Sequence, residues 1–168
     1  IAILQSVAGG DPPPLVGHNV FIRWQHLKNI AYTEDNMYKY WSEYNVSEDF
    51  ELSIRLQTNG YYGKYASFST DEFKEGVSPN YDTEITKMSK FAYGACELIF
   101  NPINKWKTDG VFSNILKKYI KTKTVPWYTK ISLIGYLSTF FAIGFAPITC
   151  GIIFFEYAFC ERCNKSIL

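Results

Sequence analysis

From Ile131 to Phe155 the chain carries no charged side chain: ISLIGYLSTFFAIGFAPITCGIIFF is 25 residues without Asp, Glu, Lys or Arg. No other feature restricts the fold as much. At about 1.5 Å rise per residue, a helix of that length is roughly 37 Å long, enough to cross a hydrocarbon core of about 30 Å with some tilt. Gly135, Gly144, Pro147 and Gly151 lie inside it, and such residues are commoner in membrane helices than in soluble ones. Trp127 and Tyr128 precede it and Tyr157 follows it, where interfacial aromatics belong. The pattern predicts a transmembrane helix within residues 127–159 and a short tail over 160–168. The competing reading is a helix buried in a soluble core, which would rarely run so long without a charge.

Averages conceal this segment. The 168 residues carry 17 basic and 16 acidic side chains and are 47% hydrophobic, values that describe one ordinary soluble globule. The apolar content excludes a disordered chain. The near-neutral charge excludes a nucleic-acid binder that works through bulk positive charge, so no nucleic-acid partner is expected. Four cysteines are too few for a disulfide scaffold.

Counted by segment, the charge is polarised. Residues 1–100 hold eight Lys/Arg and thirteen Asp/Glu, residues 101–130 hold seven Lys and the single acid Asp109, and residues 131–168 hold two of each sign. An acidic domain, a basic collar over 101–126 and an apolar tail follow in that order. Lys117, Lys118, Lys121, Lys123 and Lys130 lie just before the apolar run. Positive-inside bias then predicts an integral membrane protein with residues 1–126 facing the cytoplasm. Between residues 111 and 122, Phe112, Ile115, Leu116, Tyr119 and Ile120 fall at helical spacing among lysines. This reads as an amphipathic interfacial helix lying on the bilayer, or as a solvated surface helix. Aromatic residues make up 18% of the chain, which suits a bilayer interface, sugar stacking, or both.

Within residues 1–100, Asp11-Pro12-Pro13-Pro14 is a stiff extended break. Asn19 is placed to cap a short helix with Val20, Trp24 and Leu27 on its apolar face. Residues 31–45 read as a loop. Ser47 is an N-cap candidate, with Glu48, Asp49 and Glu51 crowding the first turn of a helix that runs through Leu52 and Leu56 to Gly60. Tyr61 to Phe68 is β-prone and predicts a strand. After a loop over 74–79, a second helix is expected from about Tyr81 to Phe100. The alternation of helix and strand points to an α/β unit. The chain opens at Ile1 without targeting character and reads as a piece of a longer protein.

Three constellations invite chemistry. The carboxylates Glu48 and Asp49 sit at a helix start, where a general base is exposed to substrate; the alternative is helix-start electrostatics alone. Lys87, Lys90 and Gly94 share one helix face with Phe91 beside them, a surface that suits phosphate oxygens and a sugar ring, or merely solvent. His18 and Asn19 follow Gly17 in a tight turn that suits sugar hydroxyls, although a lone histidine is more often structural. Cys160 and Cys163 have C-x₂-C spacing, but a zinc site needs two more ligands and the four residues after them offer none. No metal site is expected in this segment.

The blocks occur in a telling order. Gly17-His18-Asn19-Val20-Phe21-Ile22-Arg23 precedes Val46-Ser47-Glu48-Asp49, then Arg55 to Tyr61, Glu75-Gly76-Val77-Ser78, Lys87-Met88-Ser89-Lys90-Phe91, a basic amphipathic stretch and a span. This resembles the C-terminal half of a processive family 2 glycosyltransferase of the cellulose-, chitin- and hyaluronan-synthase type, and most of all the fungal cellulose-synthase-like membrane glycosyltransferases. The resemblance covers roughly residues 7–155. It implies a partial GT-A (nucleotide-diphospho-sugar transferase) domain, followed by an interfacial helix and a transmembrane helix. Residues 1–100 would be its acceptor-side half.

The resemblance implies roles as well. Gly17, Asn19 and Arg23 match a G-x-N-x-x-x-R turn near the acceptor, with His18 and Trp24 alongside. Asp49 matches the aspartate of a T/S-E-D motif, the catalytic base, with Glu48 beside it. Lys87, Lys90 and Phe91 stand in register with a Q-x-x-R-W motif, whose basic groups face the donor diphosphate and whose aromatic stacks on the acceptor sugar. The departures are Lys for Gln, Lys for Arg and Phe for Trp, and lysine lacks the planar fork of arginine. The implied partners are a nucleotide-sugar donor, a glycan or other hydroxyl acceptor, and the lipid bilayer. The implied cofactor is a divalent cation, Mg or Mn, whose ligands in the family precede the part matched here. The implied activity is sugar transfer with inversion for polysaccharide or glycan synthesis, and residues 1–168 alone would be inactive. The alternative is a non-catalytic membrane-anchored module that keeps the fold and binds a glycan or a protein.

Overall fold

A computed structural model describes residues 7–15, 17, 20–66 and 76–165, without the side chains of residues 158 and 160–165. His18 and Asn19 of the predicted acceptor turn lie outside the described residues, as do residues 67–75.

Helix α1 (Trp24–Asn29) begins later than an Asn19 cap requires, because the chain is still extended at Arg23, φ −66° and ψ 122°. Its expected apolar face is only partly used. Leu27 is buried with Ile30 against Leu52, whereas Val20 and Trp24 are exposed.

Residues 31–45, expected to be a loop, contain an antiparallel hairpin of β1 (Tyr32–Glu34) and β2 (Met37–Lys39). Its two-residue turn is Asp35-Asn36, with φ 51° and 60°. Both values are positive, as a mirror-image hairpin turn requires, and Asp and Asn tolerate them better than most residues. The hairpin is held from outside itself. Arg55 donates to the Ile30 carbonyl at 3.2 Å and the Tyr40 carbonyl at 2.5 Å, with its guanidinium 4.9 Å from the Tyr32 ring centroid. The buried Lys39 pairs with Glu43 at 2.7 Å and Glu34 at 3.2 Å. The hydrogen bond to Glu43 is the main cause that holds its ammonium protonated well above the usual lysine range.

Helix α2 (Glu48–Thr58) ends at Asn59 and turns through Gly60, φ +83°, as the sequence predicts. Residues 61–66 are extended without a partner strand, so the expected strand is not seen over its described part. The stretch is held otherwise: the Tyr62 hydroxyl donates to the Thr124 carbonyl. Helix α3 (Tyr81–Ile99) starts at Asn80, whose side chain accepts from the Thr83 N–H at 2.9 Å. Among the described residues the fold is therefore helix-rich with one two-stranded sheet. They do not supply the sheet of the expected α/β unit.

The collar folds as a 3₁₀ turn (Ile103–Lys105), a short α4 (Trp106–Asp109) and α5 (Asn114–Lys121). Ser113 caps α5, accepting from the Leu116 N–H at 3.1 Å. The long α6 (Trp127–Lys165) carries Pro147 inside it and extends past the expected end at 159. Its stretch Trp127–Tyr157, mean hydropathy 1.9, is long and apolar enough to cross a membrane.

The main core joins α2, α3, α5 and the start of α6 through Ile54, Leu98, Ile99, Leu116, Tyr119 and Leu137. Two consequences follow for the collar and the apolar run. Leu116 and Tyr119, assigned by periodicity to a membrane-facing stripe, are buried in this core, while Phe112 and Ile120 remain exposed. Leu133, Leu137, Phe140 and Phe141 of α6 also pack on it, so one face of the first two fifths of the uncharged run joins the globular part.

Candidate functional site

The first turn of α2 is held by two side chains outside it. The Asn45 side chain accepts from the Ser47 N–H at 3.0 Å, and Glu97 of α3 accepts from the Val46 N–H at 2.9 Å. Ser47 occupies the N-cap position but makes no capping bond with its side chain, contrary to the sequence expectation. The reason is packing. Its hydroxyl lies against Gly94 of α3, at 1.9 Å from the point where a Cβ on Gly94 would stand. A mid-helix glycine thus admits the turn that carries Asp49.

Asp49 is half-buried, and its Oδ1 accepts from the Phe50 N–H at 2.8 Å. A helix start favours negative charge at this place. Gly17 approaches from the proline-rich segment with φ +80°, and a Cβ built there would stand 3.0 Å from Asp49 Oδ2. Glycine is required on both counts, by its backbone conformation and by the carboxylate in front of it. Two blocks 32 residues apart in sequence therefore meet at one carboxylate. Phe50 stacks on Tyr136 of α6, ring centroids 5.3 Å apart, which seats this turn on the long helix. Glu48 beside it is exposed.

Lys87, Lys90 and Phe91 are exposed on α3, and the Lys87 ammonium lies 5.9 Å from the Phe91 ring centroid. They share the helical stripe that ends at Gly94. Lys90 precedes Gly94 by about 6 Å along the axis and Lys87 by about 10 Å. The stripe thus leads to the Ser47–Asp49 turn. Arg23 and Trp24 are exposed on the first turn of α1, and Trp24 lies 5.3 Å from Tyr40.

Sequence reasoning placed Gly94 on the lysine face but missed its packing role, and missed Glu97 and Arg55 as supports. A glycine within an otherwise good helix was the available signal. A recess of about 470 Å³ near the start of α6, lined by Asp11, Pro13, Tyr62, Tyr65 and Tyr128, contains none of the predicted site residues.

A family model described as glycosyl transferase family group 2 matches residues 1–158. The chain belongs to that family. No curated protein and no solved structure matches it significantly. Membership supports sugar transfer in general, with binding of a nucleotide-sugar donor and an acceptor. It also suggests a GT-A-like domain. A divalent cation is a different matter. Among the described residues no group of three or more His, Cys, Asp and Glu side chains is placed to hold one. The side chains described do not fit the ion.

Proposed function

We propose that residues 1–100 form the acceptor side of a membrane-bound, GT-A-type glycosyl transferase, with residues 101–126 as its collar and residues 127–159 as a membrane anchor. The observation that carries this reading is the meeting of Gly17 and Asp49 at the start of α2, beside the α3 stripe of Lys87 and Lys90. In the reaction, Asp49 takes the proton of an acceptor hydroxyl as that oxygen bonds to the anomeric carbon. The bond from that carbon to the diphosphate breaks, inverting the centre. Lys87 and Lys90 offset the charge growing on the leaving diphosphate. Phe91 and Trp24 offer faces for the acceptor ring.

The lysine collar favours a cytoplasmic location for residues 1–126. Polysaccharide synthesis of the cellulose- or chitin-synthase type is the finer reading. The ordered blocks support it, and the lysines and phenylalanine in the third block support it less.

The test is Asp49→Asn in the full-length protein, assayed in membranes against a panel of UDP- and GDP-sugars. Loss of a general base lowers the rate by about 10²–10⁴-fold. Transfer at the wild-type rate would remove Asp49 from the mechanism and favour a glycan-binding module. The isolated 168-residue chain is expected to be inactive, and detectable transfer by it would refute the half-site reading.

A further inference from the structure

An apolar groove of about 410 Å³ runs between the end of α3, α5 and the start of α6. Its walls include Ile99, Phe112, Leu116, Ile120, Ile134 and Phe141. The two polar side chains on it are Lys117 and Ser138. Ser138 already donates to the Ile134 carbonyl at 2.7 Å, so the walls demand little hydrogen bonding from an occupant. Lys117 donates to the Asp109 carbonyl at 2.6 Å and forms no ion pair among the described residues. Lys121 lies one turn further along α5, and Lys118 is adjacent; both are exposed.

The groove is therefore apolar along its walls and cationic at one rim. One wall, Ile134 to Phe141, belongs to the uncharged run of α6, and the opposite rim is cationic. A single long apolar chain ending in a negative charge is complementary to both parts. We infer that the groove holds one acyl chain of an anionic bilayer phospholipid, with its phosphate against Lys117. The inference rests on α6 spanning the membrane. The core packing of Leu133 to Phe141 then sets the groove where the globular part meets the bilayer.

Flotation of the full chain with liposomes first asks whether α6 inserts. A chain that does not float overturns the span, and the lipid site with it. Inserted protein is next extracted into detergent from vesicles of equal phosphatidylglycerol and phosphatidylcholine, and retained lipid is counted by native mass spectrometry. Phosphatidylglycerol is expected to be retained over phosphatidylcholine. Lys117→Gln should cut that preference about fivefold, the effect of one lysine beside an anionic surface, with flotation unchanged. Ser138→Trp, which fills the groove from an exposed helical position, should abolish retention of both lipids. Equal retention by the wild type, or a preference indifferent to Lys117→Gln, overturns the anionic site while leaving the span intact. Undiminished retention by Ser138→Trp removes the groove as the locus. Cross-linking of Ser138→Cys between two copies in intact membranes would show a protein cover in place of lipid.

Discussion

Gly94→Ala separates the packing of the Asp49 turn from the stability of the protein. The new Cβ would stand 1.9 Å from Ser47 Oγ, 2.8 Å from Ser47 Cβ and 3.1 Å from the Ser47 nitrogen. The hydroxyl can rotate away, but the Cβ cannot. Carbon atoms rest at about 3.5–4.0 Å, so α3 and the Ser47 turn must part by about 1 Å. Overpacking of this kind costs about 1–3 kcal/mol. Alanine in a helix interior regains about 1 kcal/mol over glycine. The net is a destabilisation of about 0–2 kcal/mol, and the melting temperature should fall by no more than about 8 °C. The rate should not be spared, because a misplacement of about 1 Å at a reacting group costs on the order of 10²-fold.

The expected signature is thus a modest fall in melting temperature with a large loss of transfer by the full-length protein. Ser47→Gly added to Gly94→Ala removes both side-chain atoms in the way and should restore most of the rate. A double-mutant cycle would then show strong coupling between the two positions. Wild-type transfer by Gly94→Ala, with a stability gain of about 1 kcal/mol, would mean that helix propensity alone governs the position. Simple addition of the two single effects would refute the contact.

Two further perturbations test the scaffold. Tyr119 is fully buried and donates to Gln57 Oε1 at 2.9 Å; burial drives its phenol far above the usual tyrosine range. Tyr119→Phe keeps the ring and orphans that oxygen. It should cost about 1–3 kcal/mol in denaturant unfolding, and an unshifted midpoint would show that the bond is not formed. Arg55→Lys cannot reach the Ile30 and Tyr40 carbonyls with one fork, so amide exchange over Tyr32–Lys39 should rise sharply with little change in α3. Unchanged protection of the hairpin would show that it stands without the clasp.

What was legible in the sequence was local. Glu48–Thr58 and Tyr81–Ile99 follow from their terminal residues and apolar spacing, and the uncharged run announces α6. The hairpin was not legible because its flanks lack alternation and it is stabilised by Arg55, sixteen residues beyond Lys39. The lysines before the apolar run read as the positive flank of a span. Yet Lys130 reaches back to the Ile120 and Thr122 carbonyls at 2.8 and 2.6 Å, closing the open end of α5. Asp49 was singled out by its neighbours in sequence, but its approach to Gly17 depends on how the proline-rich segment returns to α2. Ser47 was misread because a capping residue and a packing residue look alike until the partner helix is in place.

The sharing of α6 between core and apolar run has a geometric consequence. No linker separates the Asp49 turn from the long helix, since Phe50 rests on Tyr136 and Leu137 is locked in the core one residue later. With α6 in a bilayer, the protein has no hinge by which to raise or lower its carboxylate. With Asp49 as the base proposed above, the height of the reaction above the lipid surface is set by the register of one helix, and an acceptor must present its hydroxyl at that height.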